Sequence, residues 1–325
     1  MPRKRRYRKR GSMNCILCNR GRLSIIADKL RNGEDRSVYY CGHCKLGMLD
    51  DDKDEAQLKK FYNGQYRKTF KPDLRKVSQA PEIFGIYSGF QGARIDLIKP
   101  YLTKKMRLLE IGCSAGMFLY HVKKYVKEVT GIDYDSASAR FAGRKCSCKT
   151  YDCALDDTGL ARGQFDVICM FQVLEHAGDP VELLENVKRY LKPHGFLYIE
   201  VPNLRDALIE AYDLPHHHDF YFHAAHRWYF TKDSLLSLMK RAGVKGKLLF
   251  TQDYNFLNHM HWAAVDAPQR SCVQGLSDPG LPLRRGLDKL KKKALDEYIL
   301  CVDRGYKKLL SKLELTSNMA FIGRT

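Results

Sequence analysis

The chain has 325 residues, 44% of them hydrophobic, and a formal net charge of +19. This length exceeds the roughly 100 to 200 residues of a typical domain, so one large domain with an appendage is expected. No apolar run approaches the roughly 18 to 20 residues of a bilayer span, and none follows the basic N-terminus as in a secretory signal. A soluble, cytoplasmic protein is expected, with its eleven cysteines reduced rather than paired.

The charge is uneven. Residues 1 to 45 carry 13 Lys or Arg against three Asp or Glu, and the densest part is "MPRKRRYRKR". Such like charge predicts a disordered tail over residues 1–12. An RNA-binding arm and a plain solvated tail are both open here, and Gly11 to Met13 resembles a cloning scar.

Two C-x-x-C knuckles follow, "CILCNRG" from Cys15 and "CGHCKLG" from Cys41. Cys15, Cys18, Cys41 and Cys44 are the candidate ligands of one ion, since four thiolates in tetrahedral array select zinc and leave no open position for catalysis. A redox dithiol and an iron–sulfur cluster are the alternatives. The glycine after each second cysteine is expected to permit the knuckle's tight turn, and His43 is read as a surface residue. Short strands between the knuckles make residues 13–49 resemble a zinc ribbon. Residues 50–84, with an acidic run at Asp50 to Glu55, read as a connecting helix and linker.

From residue 106 apolar strands alternate with amphipathic helices. "MRLLEIG", "EVTGIDY", "FDVICMFQ" and "FLYIEVP" are strands; helices follow Gly116, span about Ser136 to Lys145, and begin at Asp179, an N-cap followed by Pro180. This order predicts a parallel sheet covered by helices, with its ligand crevice at the carboxyl ends of the strands. In the loop "EIGCSAG", Gly112 and Gly116 permit a sharp turn and close approach to a ligand, and Ser114 stands where a third glycine often occurs. Asp133 ends the second strand, placed to accept hydrogen bonds from two ribose hydroxyls. A nucleoside-containing cofactor is the reading, although NAD-binding proteins share this logic.

"LLEIGCSAGMFLYHV", "GIDYD" and "FDVICMFQVLEHAGDPVELLENVKRYLKPHGFLYIEVPN" together resemble class I S-adenosylmethionine-dependent methyltransferases, in the branch that carries "LEH" after the fourth strand. The resemblance covers about residues 85 to 253 and the last strand. It implies a Rossmann-like α/β fold with a seven-stranded sheet over 85–325, and it implies S-adenosylmethionine as cofactor. On this resemblance Gly112, Ser114 and Gly116 line its methionine side, Asp133 holds its ribose, Ala154 and Leu155 border its adenine, and Phe171 and Gln172 sit beside the sulfonium. Glu110 replaces a commoner aspartate.

"LPHHHDFYFHAAHRWYF" follows the fifth strand and so reaches the cofactor end of the sheet. "AHRWYFTKDSLLSLMKRAGV" resembles the corresponding segment of zinc-ribbon-bearing sugar methyltransferases, which implies His226, Tyr229 and Phe230 as pocket residues; Ala225 departs from the acidic residue common there. The histidines read as a metal site, as a general base at His226, or as pocket lining. His216 to His218 are consecutive and cannot all face one ion. Glu175 and His176 are candidates for substrate contact or for backbone bonding at the loop, and Phe220, Tyr221, Phe222, Trp228 and Tyr229 for core or substrate platform. His259, His261 and Trp262 read as packing or as closure of the site. A basic helical region from about Leu283 to Leu313, within an insertion over about 254–316, precedes the last strand.

The resulting expectation is a methyltransferase acting on oxygen or carbon of a sugar, glycan precursor or other small molecule, with a structural zinc ion, His226 as base, and Tyr229 and His176 as positioning groups. The competing readings are an RNA methyltransferase gripping phosphates with ribbon and tail, and a non-catalytic ribosome- or RNA-associated scaffold.

Overall fold

A computed structural model describes residues 14–50, 55–64, 66–69 and 78–325. The basic tail over 1–12, most of the acidic run after Asp50, and residues 70–77 of the expected linker lie outside the described residues. In chain order the described strands are β1 (Leu23–Ala27), β2 (Val38–Cys41), β3 (Gly47–Leu49), β4 (Arg107–Ile111), β5 (Glu128–Ile132), β6 (Lys149–Tyr151), β7 (Phe165–Phe171), β8 (Leu191–Pro202), β9 (Trp228–Tyr229), β10 (Lys245–Thr251) and β11 (Asn318–Arg324).

Seven strands form the main sheet in the order β10-β11-β8-β7-β4-β5-β6. Pairings within β8-β7-β4-β5-β6 are parallel, and β11 runs antiparallel to both of its neighbours. The central strands are mostly apolar because both faces are covered. Leu109, Ile111, Ile168, Met170, Leu197 and Ile199 pack on one face. The alternate residues Leu108, Val167, Cys169, Phe196 and Tyr198 pack on the other, as successive side chains on a strand must. The short β6 carries no apolar run, and the sequence pattern does not reveal it.

The helices start where their caps stop the backbone from fraying. Asp135 accepts from Ala137 and Ser138 N–H, both at 3.1 Å. Asp179 does the same for Val181 at 2.7 Å and Glu182 at 3.2 Å, ahead of Pro180. The long helix before β11 spans Lys289–Lys312, beginning six residues later than the periodicity predicts. Asp288 caps it there, accepting from Leu290 and Lys291 at 3.1 Å each.

The small sheet is ordered β1-β2-β3-β9. Its fourth strand comes from the histidine-rich segment, with Gly47 opposite Tyr229 and Met48 opposite Trp228. A Cβ on Gly47 would lie 2.8 Å from the Tyr229 Cβ, so glycine is needed there for close strand approach rather than for a turn. In each knuckle the left-handed residue is instead Asn19 (φ 54°) or Lys45 (φ 65°), directly after the second cysteine. The expectation that glycine makes these turns is thereby corrected. Leu17, Tyr39, Leu46 and Met48 join the core that covers one face of the main sheet. The cysteine module therefore shares its interior with the larger domain.

Candidate active site

The turn after β4 uses left-handed backbone at Gly112 (φ 76°), Ser114 (φ 47°) and Gly116 (φ 81°). A Cβ at Gly112 would fall 2.3 Å from Val173 Cγ2, and one at Gly116 2.9 Å from both Ala142 Cβ and Cys146 Sγ. Both positions therefore need glycine for packing as well as for φ. Ser114 holds its conformation despite having a side chain, which explains why glycine commonly stands at such a position.

Backbone hydrogen bonds bind this turn to the end of β5. The Gly112 and Cys113 N–H groups donate to the Ile132 carbonyl at 2.7 and 2.9 Å. Ser114 N–H donates to Asp133 Oδ2 at 2.7 Å, and Asp135 N–H to Asp133 Oδ1 at 2.8 Å. One carboxylate thus closes a cradle between two strand ends.

The cradle fits a ligand rich in donors. Glu110 is 4% exposed, and its Oε2 has no hydrogen-bond partner among the described residues. Burial pushes its carboxyl well above the usual range, against the lowering effect of Arg94. The Tyr62 hydroxyl, on the helix Glu55–Gly64, is likewise buried without a described partner, and burial, Tyr66, Glu175 and Asp133 all raise its pKa. Ribose hydroxyls and an ammonium are groups that such acceptors would satisfy.

Other residues expected near the cofactor divide. Ala154 caps the short turn Leu155–Thr158, and Leu155 packs in the main core. The Phe171 ring is buried between Phe118 and Tyr198, at centroid distances of 4.6 and 4.9 Å. Arg94 stacks on it, with Cζ 4.7 Å from the ring centre. Gln172 is half-buried: its amide donates to Glu200 Oε1 at 3.3 Å and Asn318 Oδ1 at 3.1 Å, on the wall of a cavity of about 960 Å³.

Gly112, Ser114, Gly116 and Asp133 of the cradle are not among the residues that line this cavity. Its polar wall comprises Arg94, Gln172, Glu200, Asp253 and Asn318. Arg94 Nε donates to both Glu200 oxygens at 3.1 and 3.2 Å, and Asn318 Nδ2 to Asp253 Oδ2 at 2.7 Å. Burial pushes Asp253 up to about 6, helped by the Glu200 charge. Sequence reading missed Arg94, Glu200, Asp253 and Asn318; the signal that could have found Glu200 is its place as the one acid in the apolar run "FLYIEVP". Arg31, from the cysteine module, also reaches the cavity, with its guanidinium 3.6 Å over the Phe220 ring and Nε donating to the Phe220 carbonyl at 2.6 Å.

The histidine segment meets this cavity at a buried cluster. Glu175 is 0% exposed, and neither carboxylate oxygen has a hydrogen-bond partner among the described residues. Its Oε1 lies 3.8 Å from His176 Nε2 and 3.9 Å from His226 Nε2. His176 Nδ1–H donates to the Ala225 carbonyl at 2.6 Å. The His176 and His226 rings are 4.8 Å apart, and the His223 and His226 rings 3.8 Å. Burial pushes Glu175 up to about 8 and His176 down to about 4. Burial, then His223 and His176, hold His226 well below its usual value. The imidazoles are accordingly neutral near pH 7.

Tyr229 and Phe230 stand behind the cavity rather than in it, 2% and 1% exposed. The Tyr229 hydroxyl accepts from His223 N–H at 3.0 Å and donates to the His223 carbonyl at 3.1 Å. It positions the loop that carries His226. Phe222 and Trp228 are core, whereas Phe220, Tyr221 and Trp262 line the cavity. His216 is exposed and His217 buried, so the consecutive histidines do diverge. His259 is enclosed, its Nδ1 2.8 Å from the Tyr306 hydroxyl.

The four cysteine sulfurs converge, with Cys15 and Cys44 Sγ 3.4 Å apart and Cys18 and Cys41 3.6 Å. All four lie within 4.8 Å of one another. A tetrahedral zinc ion with bonds of about 2.3 Å has sulfur–sulfur edges of about 3.8 Å, so the cluster fits one.

Residues 88–246 match the family model described as "Methyltransferase domain". Over these residues the chain is similar to methyltransferase domains. The matched segment takes in the cradle, Glu175, His176 and His226, and stops short of Asp253 and Asn318. Among curated relatives, the ubiquinone biosynthesis O-methyltransferase of Histophilus somni (strain 2336) is 30% identical over 114 residues, covering 31% of this chain and 47% of the relative. The enzyme of the same name from Cereibacter sphaeroides (strain ATCC 17025 / ATH 2.4.3) is 27% identical over 162 residues, covering 46% of this chain and 64% of the relative. The chain spans about half the length of the first of these. Among solved structures, a SAM-dependent methyltransferase from Archaeoglobus fulgidus shows 19% identity and a TM-score of 0.46, over 75% of this chain and 99% of that one. No described helix is long and apolar enough to cross a membrane.

Proposed function

We propose that the protein is an S-adenosylmethionine-dependent methyltransferase that modifies an oxygen or carbon of a small acceptor, such as a sugar or glycan precursor, held in the 960 Å³ cavity. When bound, S-adenosylmethionine supplies an electrophilic methyl group. Asp133 and the Gly112–Gly116 turn would hold its ribose and methionine ends, with Glu110 and Tyr62 taking further polar contacts. The polar wall of Arg94, Glu200, Asp253 and Asn318, facing Tyr221 and Trp262, supports a polyhydroxylated acceptor, because sugars pair hydroxyl networks with an apolar ring face. His226 takes the proton from an acceptor hydroxyl, while His176 and Tyr229 fix the loop around it.

Cys15, Cys18, Cys41 and Cys44 would hold a zinc ion whose role is structural, fixing β3 against β9 and so setting the position of His226. None of the eleven cysteines forms a disulfide, and a four-thiolate zinc site goes with a reducing, cytoplasmic setting.

The single observation that carries this reading is the bond from Ser114 to Asp133, which unites turn and carboxylate inside the segment matching a methyltransferase model. Calorimetric titration of S-adenosylmethionine tests it. Binding weakened about tenfold or more in Asp133→Ala is expected; absence of heat with the unaltered protein would overturn it. Incubation with labelled cofactor and separated cellular pools then identifies the acceptor class, with label expected in the small-metabolite pool rather than in RNA.

A further inference from the structure

We propose that Glu175, His176 and His226 form a second metal site, for a divalent transition ion of the zinc, iron or cobalt type, opening onto the acceptor cavity.

The argument begins with what these groups do not do. A carboxylate sealed from solvent needs a hydrogen bond or a cation, and an unsatisfied one is rare in folded proteins. Glu175 has neither oxygen satisfied among the described residues. The approaches of 3.8 and 3.9 Å to the two Nε2 atoms are too long for hydrogen bonds. They are close to the spacing of two ligands on one ion, since bonds of about 2.1 Å at tetrahedral angles place ligands about 3.4 Å apart. The three ligand atoms lie within 4.8 Å of one another, one from each residue. Side-chain rotations that close these gaps by about 0.4 to 1.4 Å complete the geometry.

Two further features fit a metal ligand set. The Nδ1–H of His176 is committed to the Ala225 carbonyl at 2.6 Å, which leaves the Nε2 lone pair directed toward Glu175; a second ring nitrogen bonded to a carbonyl is the usual orienting contact of a ligating histidine. The chain is also clamped immediately after His226. Arg227 N–H donates to the Glu175 carbonyl at 2.8 Å, and Trp228 Nε1–H to the Ala177 carbonyl at 2.7 Å. The two ligand segments are thus stitched together by hydrogen bonds that do not involve the ion.

Two imidazoles and one carboxylate select zinc, iron, cobalt or nickel over magnesium and calcium. Three protein ligands leave a position open, as in catalytic rather than structural sites, and His226 lines the cavity. An acceptor hydroxyl bound there would lose its proton more readily, with His226 acting as ligand instead of base. That role rests on the transfer reading above; binding of the ion does not.

The test uses the full-length chain with its cysteine cluster loaded. Zinc-edge X-ray absorption with one equivalent of zinc should show sulfur scattering alone. With two equivalents, nitrogen and oxygen scattering at about 2.0–2.1 Å should join sulfur at about 2.3 Å. Calorimetry with zinc chloride should count one further ion per chain, bound at least about tenfold more weakly in Glu175→Gln and His226→Gln. Asp133→Ala should lose S-adenosylmethionine binding yet keep this ion, which separates the two proposals. Sulfur-only scattering at two equivalents, or a second ion bound as tightly in both variants as in the parent, would overturn the site; if a variant fails to fold, the absorption measurement on the parent chain decides alone.

Discussion

The cradle around Asp133 and the cluster around Glu175 sit at the same edge of one sheet but are assembled in opposite ways. The cradle is built from neighbours in sequence, strand, turn and helix, and its decisive bonds join residues 112–116 to 132–135. The cluster needs residues 174–177 and 223–229 together with the cysteine module, whose Leu49 N–H donates to the Arg227 carbonyl at 2.8 Å and whose β3 pairs with β9. Cofactor capture should therefore depend on local backbone geometry, and acceptor chemistry on the distant module that carries four thiols.

The sharpest way to break this contrast is to remove a thiol. Cys44→Ser should release β3 from β9 and misplace His226, lowering transfer by about a hundredfold or more, while calorimetry still detects S-adenosylmethionine binding. Equal loss of both would show that the two sites are not separable. Gly112→Ala should act on the other side, weakening the cofactor about tenfold or more because its Cβ meets Val173. Val173→Ala added to it should restore part of the affinity, leaving the cost of a positive φ.

A smaller effect is expected from Tyr229→Phe. It removes one hydrogen bond to the His223 N–H and one to its carbonyl, which still accepts from His226 N–H at 3.1 Å, and should destabilise the protein by about 1–3 kcal/mol in thermal unfolding, with turnover reduced and cofactor affinity kept. The smallest should come from Ser114→Gly, which relieves a left-handed serine worth about 1 kcal/mol; an unfolding midpoint that drops would mean the serine side chain stabilises the turn.

Much of the cradle is legible in the amino-acid order, because Gly112, Gly116 and Asp133 occupy spacings that a strand, a turn and the next strand enforce. The knuckle cysteines are legible for the same reason. The rest is hidden by distance or by brevity. β6 has three residues and β9 two, too short to carry a period. Gly47 has the spacing of a turn residue, and only its contact with Tyr229 shows that it serves strand pairing. Phe230, implied as a pocket residue, faces the core, since alternation along an extended chain assigns faces only once the sheet partner is known.

The sequence by itself determined what local chemistry can determine: where strands and helices alternate, which turn can approach a cofactor, and which four sulfurs can share an ion. Tertiary structure decided that the cysteine module completes its sheet with a strand from the histidine segment, and that the Glu175 carboxylate is enclosed near two imidazoles with no hydrogen-bond partner among the described residues. The physical reason is range. Backbone propensity, capping and knuckle spacing act over a few residues, whereas burial and the satisfaction of a carboxylate depend on every segment that packs around it.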